Sequence, residues 1–425
     1  MHHSHVDPAS LDLSQTVRDL GPAATRWPLF VGIGGLVAAV VAALVRMLMM
    51  PDENSLERFL FTYLHNYLFF LSLAHGALFF VLVHHLTRAG WSVTVRRIAE
   101  VMAATLWPTF ALLFIPILVA VWLGGGLVFP WTDPAYVAAN PVVHHKIGYF
   151  NAPWNREITL PLFFTLRAVI YFAVWGYVAN SFYRRSVAQD ATGDPAISKP
   201  FEGRSAWGVL LVFLTVTFAS IDWAMSLEPT WFSTMFGVYY IAGCAVSFFA
   251  VLWVIVYVLQ SRNVLVDAVT VEHQHDIGKY LFGFIVFWAY ITFCQFLLIW
   301  YGDIPEETHW FLTRQQNGWQ WIGLLLIVGH FVSPFLGTMS RHVKRNRKAL
   351  LFWCVWILVM HWFDLYFIVM PQAAPGGLPF GLIDVFAFLG IGGLVTAGLV
   401  RAAADNPLVP VGDPRLAESL AFHNI

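Results

Sequence analysis

Two short spacings in this sequence place ionisable groups side by side on apolar helices. Asp222 and Ser226 are four residues apart, and His361 and Asp364 are three apart, so each pair shares a helix face. A histidine beside a carboxylate relays protons near neutral pH, because its pKa is about 6.5 and the carboxylate holds one tautomer. Around these pairs stand His65, Asn66, His75, Arg167, Glu228, His330 and Asp384, each within or at the edge of an apolar run. A polar side chain in hydrocarbon is costly, which makes every one of them a functional candidate. For each histidine the competing role is a hydrogen bond between helices. For Arg167 it is a buried ion pair with one of the acids.

The elements that must position these groups follow from composition. Of 425 residues, 58% are hydrophobic and 12% charged, with a net charge of −1. Soluble domains carry about 25% charged residues. The balance excludes a soluble enzyme, a nucleic-acid binder and a disordered scaffold. It fits an all-α polytopic membrane protein. Ten runs are long enough to span a bilayer, which takes about 20 apolar residues: 27–49, 60–86, 98–122, 160–183, 206–228, 235–260, 278–301, 319–340, 349–370 and 380–402. Residues 1–26 form a polar N-terminal segment without the pattern of a cleavable signal, 27–402 the membrane domain, and 403–425 a C-terminal tail.

Ten crossings put both termini on one side. That side carries eighteen of the 24 Lys and Arg residues; the opposite loops carry Arg58, Lys146, Arg156 and Arg314, and Arg46 and Arg167 lie within runs. The positive-inside rule makes the basic side cytoplasmic. On this orientation His65, Arg167, Asp222, His361, Asp364 and Asp384 fall in the outer half, and His75 and His330 near the middle. His84, His85, Glu272, His273, His275 and Asp276 fall at the inner edge, where His84 and His85 read as interfacial. The longest outer loop, 123–159, is expected either to dock a partner or to act as a lid on the bundle. The run Phe30–Ala39 and the run Phe388–Ala397 both contain Gly-Ile-Gly-Gly, small residues that let helix backbones approach.

Cys244, Cys294 and Cys354 each lie in an apolar run, with no CxxC, no c-type haem motif and no zinc spacing. This chain therefore has no thiolate set for an iron–sulfur cluster and no covalent haem. Three classes remain open from the residues alone: a quinol-oxidising or proton-conducting subunit, a secondary transporter with a midplane site, and a b-haem protein. A b-haem needs histidines facing each other across helices, and His75 with His330 is the one pair at matching depth. A transporter would show paired broken helices, and no convincing pair is present.

Two stretches carry a resemblance. The first holds Asp222-Trp223, Ser226-Leu227-Glu228-Pro229, Trp231, Ser233-Thr234 and Phe236-Gly237. The second runs from Gly278-Lys279 through Phe287-Trp288-Ala289-Tyr290 and Gln295 to Trp300-Tyr301-Gly302-Asp303-Ile304-Pro305-Glu306-Glu307-Thr308. Together they resemble the ActF-type membrane subunit of bacterial alternative complex III, related to the NrfD-like polysulfide-reductase anchors. The resemblance implies two four-helix bundles plus flanking helices, in the cytoplasmic membrane of a bacterium. It implies a role in a quinol:cytochrome c oxidoreductase, through quinol interaction, proton translocation or both. It further implies partners: a second NrfD-like subunit, multihaem c and iron–sulfur subunits that hold the redox centres, and a terminal oxidase as one acceptor. The residues expected on the proton path are Asp222, first among them, with His65, His75, Arg167, His330, His361, Asp364, Asp384 and Glu228. Glu306 and Glu307 are expected at the outer interface as exit groups or as loop anchors. A structural anchor without chemistry of its own is the remaining alternative.

Overall fold

The computed structural model describes residues 12–49, 55–151 and 160–424. Residues 1–11 of the N-terminal segment, and Arg156 of the long loop, lie outside the described residues. The described residues form helices and loops with no strand. This is the expected solution in lipid, where every backbone polar group must be paired within its own segment.

Among the described residues, ten helices are long and apolar enough to cross a membrane: Pro22–Met49, Ser55–Leu86, Val93–Leu123, Leu162–Thr192, Pro195–Leu227, Phe236–Ser261, Val271–Gly302, Trp319–Met339, Arg347–Ala373 and Leu382–Ala403, here spans 1 to 10. All ten predicted runs are present, and most helices overrun them by several residues. The overrun has a cause. Hydropathy marks the apolar stretch, whereas the helix continues until its end groups are capped. Span 2 is the instructive case: it starts at Ser55 rather than 60, so Arg58 lies inside the helix and is buried.

Spans 2, 3, 4 and 5 close one ring of packed helices, and spans 6, 7, 8 and 9 close a second. Spans 2 and 6 form the seam between the rings, and span 9 also packs on span 2. Burial follows this plan: 83% of the apolar window of span 2 and 72% of that of span 6 is buried, against 17% for span 1. A Cβ on Gly76 of span 2 would overlap the Cys244 carbonyl of span 6, so the seam depends on a side chain being absent there. The arrangement is two four-helix bundles with spans 1 and 10 packed together on the flank.

That flanking pair explains the repeated Gly-Ile-Gly-Gly. A methyl group on Gly35 would stand 2.5 Å from the Gly390 nitrogen, and one on Gly32 2.6 Å from the Leu394 nitrogen. The small residues bring two backbones into contact, the packing mode available where lipid removes the hydrophobic drive between helices.

Loop ends are ordered by the same contacts. At the basic end, the Leu408 amide donates to the Gln15 carbonyl (2.9 Å), so the described N- and C-terminal segments meet at one end of the bundle. There Arg97 donates to Glu100 (3.1 Å) and Asp190 (2.8 Å), and Arg96 pairs with Glu100 and Asp413. Ser419 in the tail donates to the Trp91 carbonyl (2.6 Å).

Candidate functional site

The nine sequence candidates separate into distinct groups, most of them toward the end of the bundle that carries the loops 124–161, 228–235, 303–318 and 374–381.

In the first bundle, Asp222 is fully buried near the end of span 5. Arg167, one turn into span 4, donates to it through Nε (2.8 Å) and Nη2 (2.9 Å), and the Tyr171 hydroxyl adds a third bond (2.7 Å). A two-pronged arginine–carboxylate contact with a further donor satisfies most acceptor positions on the acid. The α-helix of span 5 ends at Trp223 and a 3-10 turn, Met225–Leu227, completes the span, so Asp222 and Ser226 do not share one α-helical face. The Ser226 hydroxyl instead donates to the Asp222 carbonyl oxygen of the backbone (2.5 Å).

The lid reading of the long loop fits its described part, residues 124–151. Trp131 is buried, stacks on Phe150 (4.3 Å between centroids) and donates to Ser226 (3.3 Å). The helix Pro141–Phe150 brings Tyr149 to Arg167: its carbonyl accepts from Nη1 (2.5 Å), and its ring lies 3.9 Å from the guanidinium. Burial and the nearby Asp222 carboxylate push the Tyr149 phenol above its usual range. His75 is also in this bundle, its ring 4.3 Å from Trp175 and 6.3 Å from Tyr240. Both its ring nitrogens are buried without a hydrogen-bond partner.

The second bundle holds the other histidine–acid set. Asp364 on span 9 accepts from the Tyr239 hydroxyl of span 6 and from Trp288 Nε1 of span 7 (3.1 Å). His361, one turn earlier, places Nδ1 3.8 Å from Asp364 and Nε2 2.8 Å from the Ser72 hydroxyl of span 2. The predicted sharing of a face holds, with a gap longer than a hydrogen bond between the two groups. His330 of span 8 lies edge-on to Trp288 (3.8 Å) and nearly parallel to His361, with centroids 6.3 Å apart. His330 sits in a π-helical segment, Leu326–Val332, and Trp356 caps the Gly329 carbonyl of that segment (2.7 Å). Such segments recur at functional sites, because the extra residue re-aims side chains. Five helices thus converge on one polar group: Ser72, His361, Asp364, Tyr239, Trp288 and His330.

The remaining candidates divide between the two competing roles. Asp384 of span 10 pairs with Arg58 of span 2 (2.6 Å) and accepts from Thr62 (3.2 Å), which ties the flanking pair to the first bundle. His65 makes the helix-to-helix bond, Nε2 to the Trp362 carbonyl (3.0 Å), while Trp362 donates to Asn66 (2.9 Å). Glu228 is half-buried. It accepts from Thr230 (2.8 Å) and from Gln372, and lies 3.6 Å from His309 Nε2. It therefore pins the turn at 228–235 to span 9 and to the helix Pro305–Thr313. Glu306 and Glu307 sit in the first turn of that helix, Glu306 exposed and Glu307 partly so.

Two expectations are corrected. His75 and His330 do not face each other; they occupy different bundles, each against its own tryptophan, so they form no haem pair. His84 and His85, at the end of span 2, are buried in protein rather than exposed as snorkelling side chains. His84 packs on Phe80 (3.8 Å), and His85 on Phe201 (4.6 Å) and Phe182 (5.3 Å), all inside the helix ends.

Sequence reasoning missed Arg58, Tyr171, Tyr239 and Ser72 as partners, and gave Arg314 only as a loop charge. Arg58 precedes His65 by seven residues, two turns on the same face, which is a readable signal. Arg314 is buried and donates to the carbonyls of Trp310 (3.0 Å), Phe367 (2.9 Å) and Ile368 (2.8 Å), with Trp310 3.5 Å from its guanidinium. Burial pushes its pKa down, to about 9, so it remains a cation at neutral pH. No group of histidine, cysteine and acid residues suited to a metal is present among the described residues.

In comparisons with known proteins, no family model matches the chain and no curated protein matches it.

Proposed function

We propose that this chain is a proton-handling membrane subunit of a quinol:electron-acceptor oxidoreductase of the alternative complex III type. In this reading it lies in the cytoplasmic membrane of a bacterium with both termini cytoplasmic, as the Lys and Arg asymmetry supports. Its redox partners are a second NrfD-like subunit and subunits carrying haem c and iron–sulfur clusters. The cytochrome c or terminal oxidase that accepts the electrons is outside the chain.

The observation that carries the reading is the group at the centre of the second bundle. His361 stands between a hydroxyl, 2.8 Å from Ser72, and a carboxylate, 3.8 Å from Asp364, with His330 as the next ring. His361 Nδ1 and both nitrogens of His330 are buried without a hydrogen-bond partner. Buried polar groups are ordinarily satisfied. Histidines left with free ring nitrogens beside a carboxylate are suited to pass protons through intervening water. By contrast, the oxygens of Asp222 and Asp384 are already taken, by Arg167 and Tyr171 in one case and by Arg58 and Thr62 in the other. The proton path therefore runs through His361 and Asp364 rather than through Asp222.

Quinol oxidation is assigned to the partner subunit. A quinol headgroup needs a cleft that reaches a base. The clefts beside spans 3 and 4 and beside spans 1 and 10 are lined by none of the nine candidates. The buried acids are closed in by protein donors, so the residues present do not fit a quinol at them.

Purification in mild detergent, followed by mass spectrometry and a haem stain, tests the assignment. Co-purification of multihaem c and iron–sulfur subunits is the expected result. Recovery alone or as a homo-oligomer, with no redox partner, refutes it and favours a transporter.

A further inference from the structure

A cleft of about 1230 Å³ opens between spans 1, 3, 4 and 10, on the flank of the first bundle. It exists because span 3 is broken. Trp107 leaves the helical conformation (φ −138°, ψ 125°) inside the segment Leu106–Phe110, and its ring stands half-exposed in the cleft. The walls are largely apolar, with Leu112 of span 3 and Leu394 of span 10 among them, and Thr105, Thr109, Asn180 and Tyr183 add polar groups. One end is different: Arg18, Arg184 and Arg401 line it together. Arg18 is ion-paired with Asp405. Arg184 and Arg401 are exposed and make no ion pair or hydrogen bond among the described residues. Two uncompensated guanidinium groups therefore sit at the mouth of an apolar slot, at the basic end of the bundle.

We propose that this cleft is a binding site for an anionic phospholipid, with the headgroup phosphate on Arg184 and Arg401 and the acyl chains along Trp107, Leu112 and Leu394. Three observations select this occupant. Guanidinium groups recognise phosphate oxygens in paired hydrogen bonds. The charged side chains that line the cleft, Arg18, Arg184 and Arg401, are all cations, and Leu29, Leu112 and Leu394 supply apolar surface for acyl chains. The volume exceeds the roughly 300–1,000 Å³ of ordinary small-ligand pockets, which suits a two-chain amphiphile. An isoprenoid quinone would bring a neutral headgroup to this mouth and leave both cations without a counter-charge.

The test uses the full chain, in its native complex where one is recovered, stripped of lipid by detergent exchange. It is then offered vesicles of phosphatidylcholine alone, or of phosphatidylcholine doped with cardiolipin or phosphatidylglycerol, and bound lipid is read by native mass spectrometry. Selective retention of the anionic lipid is expected. Its apparent affinity falls roughly fivefold per arginine lost, near 25-fold for Arg184→Gln with Arg401→Gln, on the scale typical of basic residues at anionic surfaces. Arg185→Gln, one residue along span 4 and outside the cleft, leaves it unchanged. As a check independent of variants, a diazirine-labelled cardiolipin should cross-link wild-type peptides containing Trp107 or Leu394. Equal retention of phosphatidylcholine, an unaltered double variant, cross-links confined to other helices, or a retained quinone displacing the lipid would each overturn the proposal.

Discussion

Replacing Asp222 with asparagine separates a structural charge from a mobile proton. In the wild type the carboxylate accepts three hydrogen bonds, two from Arg167 and one from Tyr171, and is fully buried. Removing one partner of a buried ion pair costs about 3–5 kcal/mol, because the other charge is left uncompensated. Arg167 keeps the Tyr149 carbonyl and the stacked Tyr149 ring, which together offset about 1–2 kcal/mol. The net loss for Asp222→Asn is then about 1–4 kcal/mol. The double variant Arg167→Gln, Asp222→Asn carries no stranded charge and should lose only about 0–2 kcal/mol. The signature is thus a double variant more stable than the single one. Equilibrium unfolding in mixed micelles, on the four members of the cycle, measures it. If Asp222→Asn is as stable as wild type while proton flux falls, the fixed-pair account is refuted and Asp222 returns to the proton path.

Three further outcomes follow from the same contacts. Arg58→Gln strands Asp384 and should cost about 3–5 kcal/mol, most of it recovered when Asp384→Asn is added; melting in detergent reads both. Gly35→Leu forces spans 1 and 10 apart and should cost about 1–3 kcal/mol. Gly34→Leu, whose Cβ meets nothing within 4 Å, should leave the melting temperature unchanged. His75→Phe keeps the ring packing against Trp175 and should change stability by less than about 1.5 kcal/mol. An unchanged proton flux in that variant would remove His75 from the path.

The sequence made the fold legible because lipid leaves few solutions. Apolar length marked all ten spans; two four-helix bundles with flanking helices were expected only from the resemblance, and which spans close each ring is seen in the packing. Small residues at Gly32, Gly35, Gly390 and Gly393 announced a close contact, although not that they contact each other. The candidate residues were legible as a class, since an ionisable group in an apolar run stands out. Their pairing was not. Arg167 with Asp222 and Arg58 with Asp384 are contacts between different helices, and helical rotation is set by packing that one chain's hydropathy does not encode. The expectation for Asp222 has the same limit: residue type and depth were visible, but the arginine facing it was only one of several options. Tyr239 and Trp288 were missed for a simpler reason. Aromatic residues are common in membrane helices, and nothing in their spacing distinguishes a hydrogen-bond donor from packing.

Proton uptake by the reconstituted complex tests the central claim most directly. Proteoliposomes holding a pH-sensitive dye would be energised with a reduced quinol analogue and oxidised cytochrome c as the electron acceptor, for wild type, Asp364→Asn and His361→Gln. Both variants are expected to assemble with their redox partners, with the rate of proton movement lowered by at least about tenfold, in keeping with the loss of a proton-transfer group. Proton movement equal to wild type in correctly assembled Asp364→Asn and His361→Gln would contradict the claim.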